Sequence, residues 1–153
     1  MRLSSSRACV LWIALLVGCA EQGDYAVPAA DRLRFESEVL PVLLRDCAFH
    51  ACHGSAERFF QVFGPGHGRL DPLTRPLDPL TPAEIDHSFT RALSMFEPDD
   101  LEHSLLLVKP LAVDAGGAGH EGTDTLGRDV YQTQDDPAYR VLHEWVLAGG
   151  TGP

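Results

Sequence analysis

A closely spaced pair of cysteines, followed at once by a histidine, constrains this chain more than any other feature of its sequence. Residues 47–54 read Cys-Ala-Phe-His-Ala-Cys-His-Gly, so that four residues separate Cys47 from Cys52 and His53 follows directly. Two thiols this close in sequence can form a disulfide, bind a metal ion or attach a cofactor, and the compartment in which the chain folds decides among these. The sequence must therefore first be searched for targeting signals.

The amino-terminal residues have the pattern of a bacterial export signal. Two arginines precede an uninterrupted apolar run over residues 9–17, which is too short to span a membrane but fits the core of a signal peptide. The run ends in Leu-Val-Gly-Cys, which resembles the bacterial lipobox, in which the signal is cut before the cysteine. We therefore predict a lipoprotein signal peptide at residues 1–18 and lipidation of Cys19. The alternatives are an ordinary signal peptide cleaved near Ala20 and an uncleaved anchor.

The export signal predicts both a location and a redox environment. An acylated Cys19 would attach the chain to a lipid bilayer, and the polar and small residues 19–30 predict a flexible tether. The expected location is the outer membrane, facing the periplasm or the cell surface. In that oxidising compartment Cys47 and Cys52 would be the remaining thiols, and free thiols are poorly tolerated there.

The charge of the chain restricts its partners. The formal net charge is −10, and removal of the two arginines of the signal leaves −12. Such an acidic chain repels nucleic-acid phosphates and gains nothing from anionic lipid, so we expect neither as a partner. A basic redox protein is compatible with this charge.

Residues 31–150 predict one mainly α domain of three to five helices with long loops rich in glycine and proline. Apolar residues recur at every fourth position from Phe35 to Leu43, which predicts a first helix that begins near Asp31. Pro41 removes one helical hydrogen bond. The helix should therefore either kink at Pro41 or begin later, near Ser37.

Two further helices are marked by their starts. Thr81-Pro82-Ala83-Glu84 predicts a capping box, with Pro82 in the first helical position and Pro98 as the stop. Asp136-Pro137 predicts the start of the last helix, which ends at Gly149-Gly150. A shorter helical turn is expected within residues 99–108.

The remaining segments predict loops. The prolines of residues 70–82 favour an extended strap over the surface. Residues 112–122 contain too many glycines for regular structure. No segment alternates as a strand would, so no sheet is expected.

The cysteine pair and His53 are the residues that attachment of haem c requires. Two thiols add across the vinyl groups of the haem, and the imidazole of the following histidine binds the iron. The usual motif has two residues between the cysteines, so the loop here must bulge. The pattern predicts one covalent haem on Cys47 and Cys52. The alternatives are a Cys47–Cys52 disulfide and a zinc site formed by both thiolates, His53 and another histidine.

Motifs in the same order resemble those of a known family. They are Phe35, Val39-Leu40-Pro41-Val42-Leu43, Cys47, Cys52-His53-Gly54, Ser104-Leu105-Leu106, Lys109-Pro110, Gly119-His120-Glu121-Gly122, Tyr139, Leu142, Trp145 and Gly149-Gly150. This order resembles the planctomycete-type cytochrome c domains of secreted bacterial proteins, which are similar to class I cytochromes c. The resemblance implies that the first and last helices cross, and that a haem lies between the cysteine loop and a later distal ligand.

The resemblance also implies the second iron ligand and the function. His120 corresponds to the histidine of the glycine-rich distal loop in that family. Met95, near the end of the second predicted helix, is the alternative ligand, and an open or water-filled position is a third possibility. The implied function is single-electron transfer by a monohaem c-type cytochrome that exchanges electrons with a redox protein partner.

Other readings of the chain stay open. We found no catalytic triad order, phosphate loop or paired carboxylates, so we expect an electron carrier rather than an enzyme, with peroxidase-like activity as a distant alternative. A haem-free lipoprotein with a Cys47–Cys52 disulfide, binding a partner or a polysaccharide, is the main rival. If haem is present, the expected apolar wall is Phe35, Leu43, Phe89, Leu142 and Trp145. The histidines at positions 50, 67, 87, 103 and 143 are expected to be exposed or hydrogen-bonded.

The predicted lipid anchor gives a direct test. Replacement of Cys19 by serine should abolish incorporation of labelled fatty acid and move the protein from the membrane fraction to the soluble fraction, because the acylated residue is lost. The matched control Cys9→Ser changes a cysteine inside the predicted signal and should leave labelling intact. Labelled fatty acid in the Cys19→Ser protein would contradict the prediction.

Overall fold

The computed structural model describes residues 29–120 and 129–149. The predicted signal peptide, Cys19 and most of the tether lie outside these residues, as do Glu121, Gly122 and Gly150. The described chain is mainly helical, which confirms the predicted class. Within its bounds, the parallel bridge between Leu111 and Tyr131 is the only β-type pairing, and no helix combines the length and apolar character needed to cross a membrane.

Four helices carry the fold of residues 29–120 and 129–149. We name residues 32–46 helix α1, which consists of the consecutive segments Arg32–Arg34, Phe35–Val39 and Leu40–Asp46. Helix α2 is Pro82–Leu93, α3 is Leu105–Val108 and α4 is Pro137–Gly149. Short 3-10 turns occur at Leu101–His103 and at Val113–Ala115, the second within a stretch for which no regular structure was expected.

Helix α1 passes Pro41 without ending. It begins after Asp31, whose carboxylate accepts a hydrogen bond from the Arg34 N–H at 3.0 Å. The middle segment is a π-helix, in which the Leu40 N–H bonds to the Phe35 carbonyl five residues earlier. Proline cannot donate to the carbonyl four residues before it and its ring crowds that carbonyl, so a wider turn immediately before Pro41 relieves the conflict. The predicted start near Asp31 is confirmed, and the alternative start near Ser37 is wrong.

Helix α2 begins as predicted and ends earlier than predicted. Both hydrogen bonds of the capping box between Thr81 and Glu84 are present, and Pro82 is the first helical residue. The helix ends at Leu93 instead of continuing towards Pro98. The following turns close through bonds to carbonyls only three residues back, and Phe96 reaches the core from this tighter segment.

Helix α4 packs on α1 through an aromatic cluster. Its start is confirmed, since the Ala138 N–H donates to the Asp136 carboxylate at 2.8 Å. Trp145 is fully buried, with its ring centroid 5.3 Å from that of Phe35 and 5.1 Å from that of Phe96. Its indole N–H donates to the Asp31 carbonyl at 2.9 Å. The first and last helices are thereby joined by apolar burial and by a satisfied polar contact.

The proline-rich segment 70–82 is not the extended strap that was expected. It forms two successive turns, closed by the bonds Thr74 N–H to Asp71 carbonyl and Asp78 N–H to Arg75 carbonyl. These turns wrap around the guanidinium of Arg69, which donates to the carbonyls of Arg75, Asp78 and Pro79 at 2.7, 2.8 and 3.1 Å. The segment turns because the Arg69 guanidinium forms hydrogen bonds with several of its carbonyls at once. The local conformational preference of proline does not predict this interaction.

Arg69 also forms a buried ion pair with Glu84 of α2. Two parallel hydrogen bonds of 2.7 and 2.8 Å join the side chains, which are 5% and 1% exposed. Burial alone would raise the pKa of Glu84. The Arg69 guanidinium and the N–H groups of Thr81 and Leu70 outweigh it and lower that pKa to about 2. The pair therefore fixes the turns 70–80 to the start of α2.

The ion pair predicts a specific dependence of stability on pH. A carboxylate whose pKa is depressed in the folded chain contributes stability above its unfolded pKa, here 4.5, and this contribution is lost as pH falls towards 2. The variant Glu84→Gln should be clearly less stable than the wild type at pH 7, and the difference in free energy of unfolding should shrink between pH 4.5 and 2. Urea denaturation across this range measures it. The exposed acid Asp71→Asn is a suitable control, and a pH-independent difference for Glu84→Gln would contradict the account.

Candidate functional site

The loop that carries the cysteines folds back on the end of α1. The Leu43 carbonyl accepts from the N–H groups of both Cys47 and Ala48, at 2.9 and 3.1 Å, which ends the helix. The chain then turns so that the His53 N–H donates to the Cys47 carbonyl at 3.0 Å. The first cysteine and the histidine are therefore adjacent although five residues separate them.

The extra length of the motif lies in an outward bulge, as the spacing predicted. Residues 49–51 are exposed, whereas Cys47 and Ala48 are buried. The Phe49 carbonyl accepts from the Cys52 and Gly54 N–H groups at 2.8 and 3.0 Å and closes the bulge. A Cβ on Gly54 would lie 2.1 Å from the Ala48 carbonyl oxygen, so this close return requires glycine.

The two cysteines are free thiols in unlike surroundings. Cys47 is 8% exposed and belongs to the hydrophobic core, whereas Cys52 is half-buried at the edge of the bulge. Burial, followed by the negative charge of Asp46, raises the pKa of Cys47 to about 12. Cys47 is therefore a protonated thiol over the physiological range of pH.

The ring of His53 is held in one orientation. Its Nδ1 lies 3.0 Å from the Phe60 carbonyl oxygen, and because a carbonyl only accepts, Nδ1 must carry the proton. The Phe60 ring packs edge-on against the imidazole at 4.9 Å between centroids. Burial lowers the pKa of His53, so the ring is neutral at pH 7. A neutral imidazole whose Nδ1–H is bonded presents the lone pair of Nε2, which is the form that binds metals.

His120 lies next to His53. The two ring centroids are 5.9 Å apart and the ring planes are inclined at 56°. An imidazole that binds a metal ion places a nitrogen about 2 Å from it, so two ring centroids about 6 Å apart are compatible with two ligands of one ion. The residue before it, Gly119, has a φ of +75°, a conformation that favours glycine, where the chain approaches His120. The structure thus brings together the two histidines that the motif and the resemblance indicate.

Met95, the alternative ligand, lies in the hydrophobic core. It is 9% exposed and packs in the hydrophobic core just beyond the end of α2. Its carbonyl accepts from the Leu106 N–H at 3.4 Å, which joins this turn to α3. The residues expected to form an apolar wall are in the core or packed against it: Phe35, Leu43, Leu142 and Trp145 are fully buried and Phe89 is partly buried.

The donor set does not favour zinc. Within residues 29–120 and 129–149, no group of three or more His, Cys, Asp or Glu side chains is arranged to hold a metal ion. A structural zinc site takes four such ligands, so the zinc alternative has no support here. Two neighbouring histidines and two nearby thiols are the residue types that would hold a haem.

Most of the other histidines have ordinary partners, as predicted. His87 pairs with Gln61, His103 with Asp100 and His143 with Glu102, at 3.0, 2.8 and 2.8 Å respectively. His67 packs against Phe49.

Two features of the site could not be found from the sequence. One is the Phe60 carbonyl, which fixes His53. The other is the contact of Tyr131 with Asp46, where the hydroxyl donates to the carboxylate at 3.0 Å beside Cys47. Backbone carbonyls and contacts between distant residues leave no pattern in a single sequence.

Comparison with protein-family models, curated proteins and solved structures gave no match.

The unlike surroundings of the two thiols predict unlike reactivity. In the folded chain without haem, iodoacetamide should modify Cys52 about tenfold or more faster than Cys47, because the thiolate is the nucleophile and burial keeps Cys47 protonated. Peptide mapping by mass spectrometry after short exposure measures both rates. In urea, which removes the burial, the two rates should converge. Equal rates in the folded chain would contradict the described burial of Cys47.

Proposed function

We propose that this protein is a lipid-anchored, extracytoplasmic monohaem c-type cytochrome that transfers single electrons. The observation that carries the proposal is the position of His120 next to the fixed ring of His53, which directly follows the pair of free cysteines in sequence. The resemblance to planctomycete-type cytochrome c domains indicates the same residues for the same roles.

The chain's own residues have distinct roles in this proposal. Cys47 and Cys52 would hold the haem by thioether bonds, which need no oxidant because each S–H adds across a vinyl double bond. His53 and His120 would hold the iron. The bound haem supplies the one-electron change between ferrous and ferric iron.

The surroundings of the site would set its potential. Buried apolar side chains around the cofactor exclude water, which disfavours the more highly charged ferric form and raises the potential. Ligation by two histidines works in the opposite direction, because methionine in place of one histidine raises the potential. The balance restricts which redox proteins could exchange electrons with this chain.

The net charge of the chain favours one kind of partner, and the predicted lipid anchor favours one location. Lys109 is the single lysine of a chain with a net charge of −10, so an exchange partner with a basic docking surface is favoured. Acylation of Cys19 would hold the domain at a membrane through residues 19–30. The proposed site is the outer membrane, facing the periplasm or the cell surface.

Absorption spectra of protein from its native host test the proposal. We expect a haem c Soret band that survives extraction with acidified acetone, since the cofactor is covalent. The double variant Cys47→Ala, Cys52→Ala should lose all colour on extraction. His120→Ala should keep the haem but lose the low-spin spectrum of a six-coordinate iron, because one axial ligand is removed.

Matched variants control for indirect effects. Met95→Leu conserves volume in the core and should leave the spectrum unchanged if His120 is the ligand. His50→Ala, on the exposed bulge, should likewise have no effect. A colourless wild-type protein with a Cys47–Cys52 disulfide would overturn the proposal in favour of the haem-free lipoprotein domain. A spectrum altered by Met95→Leu but not by His120→Ala would overturn the assigned ligand.

A further inference from the structure

Tyr131 connects the two halves of the candidate site. Its hydroxyl donates to the Asp46 carboxylate at 3.0 Å, at the end of α1 and directly before Cys47. Arg45 binds the same carboxylate through two bonds of 2.6 Å. A hydrogen bond to a charged acceptor is stronger than one between neutral groups.

The backbone of Tyr131 holds the segment that leads to His120. Its N–H donates to the Pro110 carbonyl and its carbonyl accepts from the Ala112 N–H, each at 2.9 Å, on either side of Leu111. One residue is thus bonded through its side chain to the helix of the cysteine loop and through its backbone to residues 110–112.

Residues 110–112 in turn hold the approach to His120. The Gly117 N–H donates to the Ala112 carbonyl at 3.0 Å, and the Ala118 N–H donates to the Val108 carbonyl at 2.8 Å. The Lys109 ammonium lies 3.4 Å from the carbonyl oxygen of Gly119, which is the residue directly before His120. An unbroken series of contacts therefore joins Asp46, Tyr131 and His120.

Burial of Tyr131 protects the hydrogen bond between its hydroxyl group and Asp46 from competition by water. The residue is buried, and its ring packs at 5.8 Å from that of Tyr139. Burial raises the pKa of Tyr131, as does the negative charge of Asp46, so that the hydroxyl stays a donor at every physiological pH. Removing the hydroxyl would leave the ring in place and break only the contact to Asp46.

We propose that Tyr131 is a positioning residue, which fixes His120 at the distance from His53 that iron ligation requires. The inference rests on the proposed function and extends it. It states that binding of His120 to the iron depends on the hydrogen bond between Tyr131 and Asp46, neither of which is a ligand. It follows that weakening the bond from Tyr131 to Asp46 would release His120 more easily than it would release the haem.

The test uses the variant Tyr131→Phe in haem-loaded protein. The haem should remain covalently attached, whereas the equilibrium for displacement of His120 by added imidazole or cyanide should shift by about tenfold towards the displaced form, which corresponds to the loss of one hydrogen bond to a charged group. The spectral titration reads ligation directly. Asp46→Asn keeps an acceptor for the hydroxyl and should retain most of the wild-type behaviour, whereas Asp46→Ala should match Tyr131→Phe.

The neighbouring Tyr139→Phe is the matched control, since it removes a hydroxyl from the adjacent ring. If the wild type carries haem and its titration is identical to that of Tyr131→Phe, this inference alone is overturned. Equal shifts in Tyr131→Phe and Tyr139→Phe would also overturn it, because they would indicate general loosening of the fold. A wild type without haem would overturn the proposed function and this inference together.

Discussion

The packing of Phe35 against Trp145 is the contact on which the rest of this fold depends. It joins the first helix to the last, and the indole N–H bonded to the Asp31 carbonyl leaves no buried donor without a partner at that contact. Truncation of a buried tryptophan to alanine costs about 3–5 kcal/mol, a large fraction of the roughly 5–15 kcal/mol by which small domains are stable. Because α1 is fixed in this way, the position of Cys47 at its carboxyl end is fixed as well.

The starts of the helices were predictable because each depends on a few adjacent residues. Asp31, the Thr81–Glu84 capping box and Asp136 all bond to N–H groups within three residues, and the structure confirms each. The turns after Arg69 were not predictable, because they pack around a guanidinium that binds carbonyls six to ten residues away. Local proline preference predicted an extended segment, and the long-range interaction prevailed.

The residues of the candidate site were proposed from the sequence, whereas the groups that support two of them were not. The cysteine motif predicted Cys47, Cys52 and His53, and the family resemblance implied His120. The structure places the two histidine rings 5.9 Å apart. The groups that hold them there, the Phe60 carbonyl and the Tyr131 hydroxyl, have partners 7 and 85 residues away in sequence. Such contacts depend on how the chain folds back on itself, and a single sequence carries no periodic signal for them.

The central claim is that Cys47 and Cys52 are bonded to one haem and not to each other. Mass spectrometry of the peptide containing residues 47–53, isolated without reduction from protein made in the native host, tests it most directly. The account predicts a peptide heavier by one haem, with both sulfurs as thioethers. A haem-free peptide lighter by the hydrogens of both thiols would identify a disulfide and contradict the account.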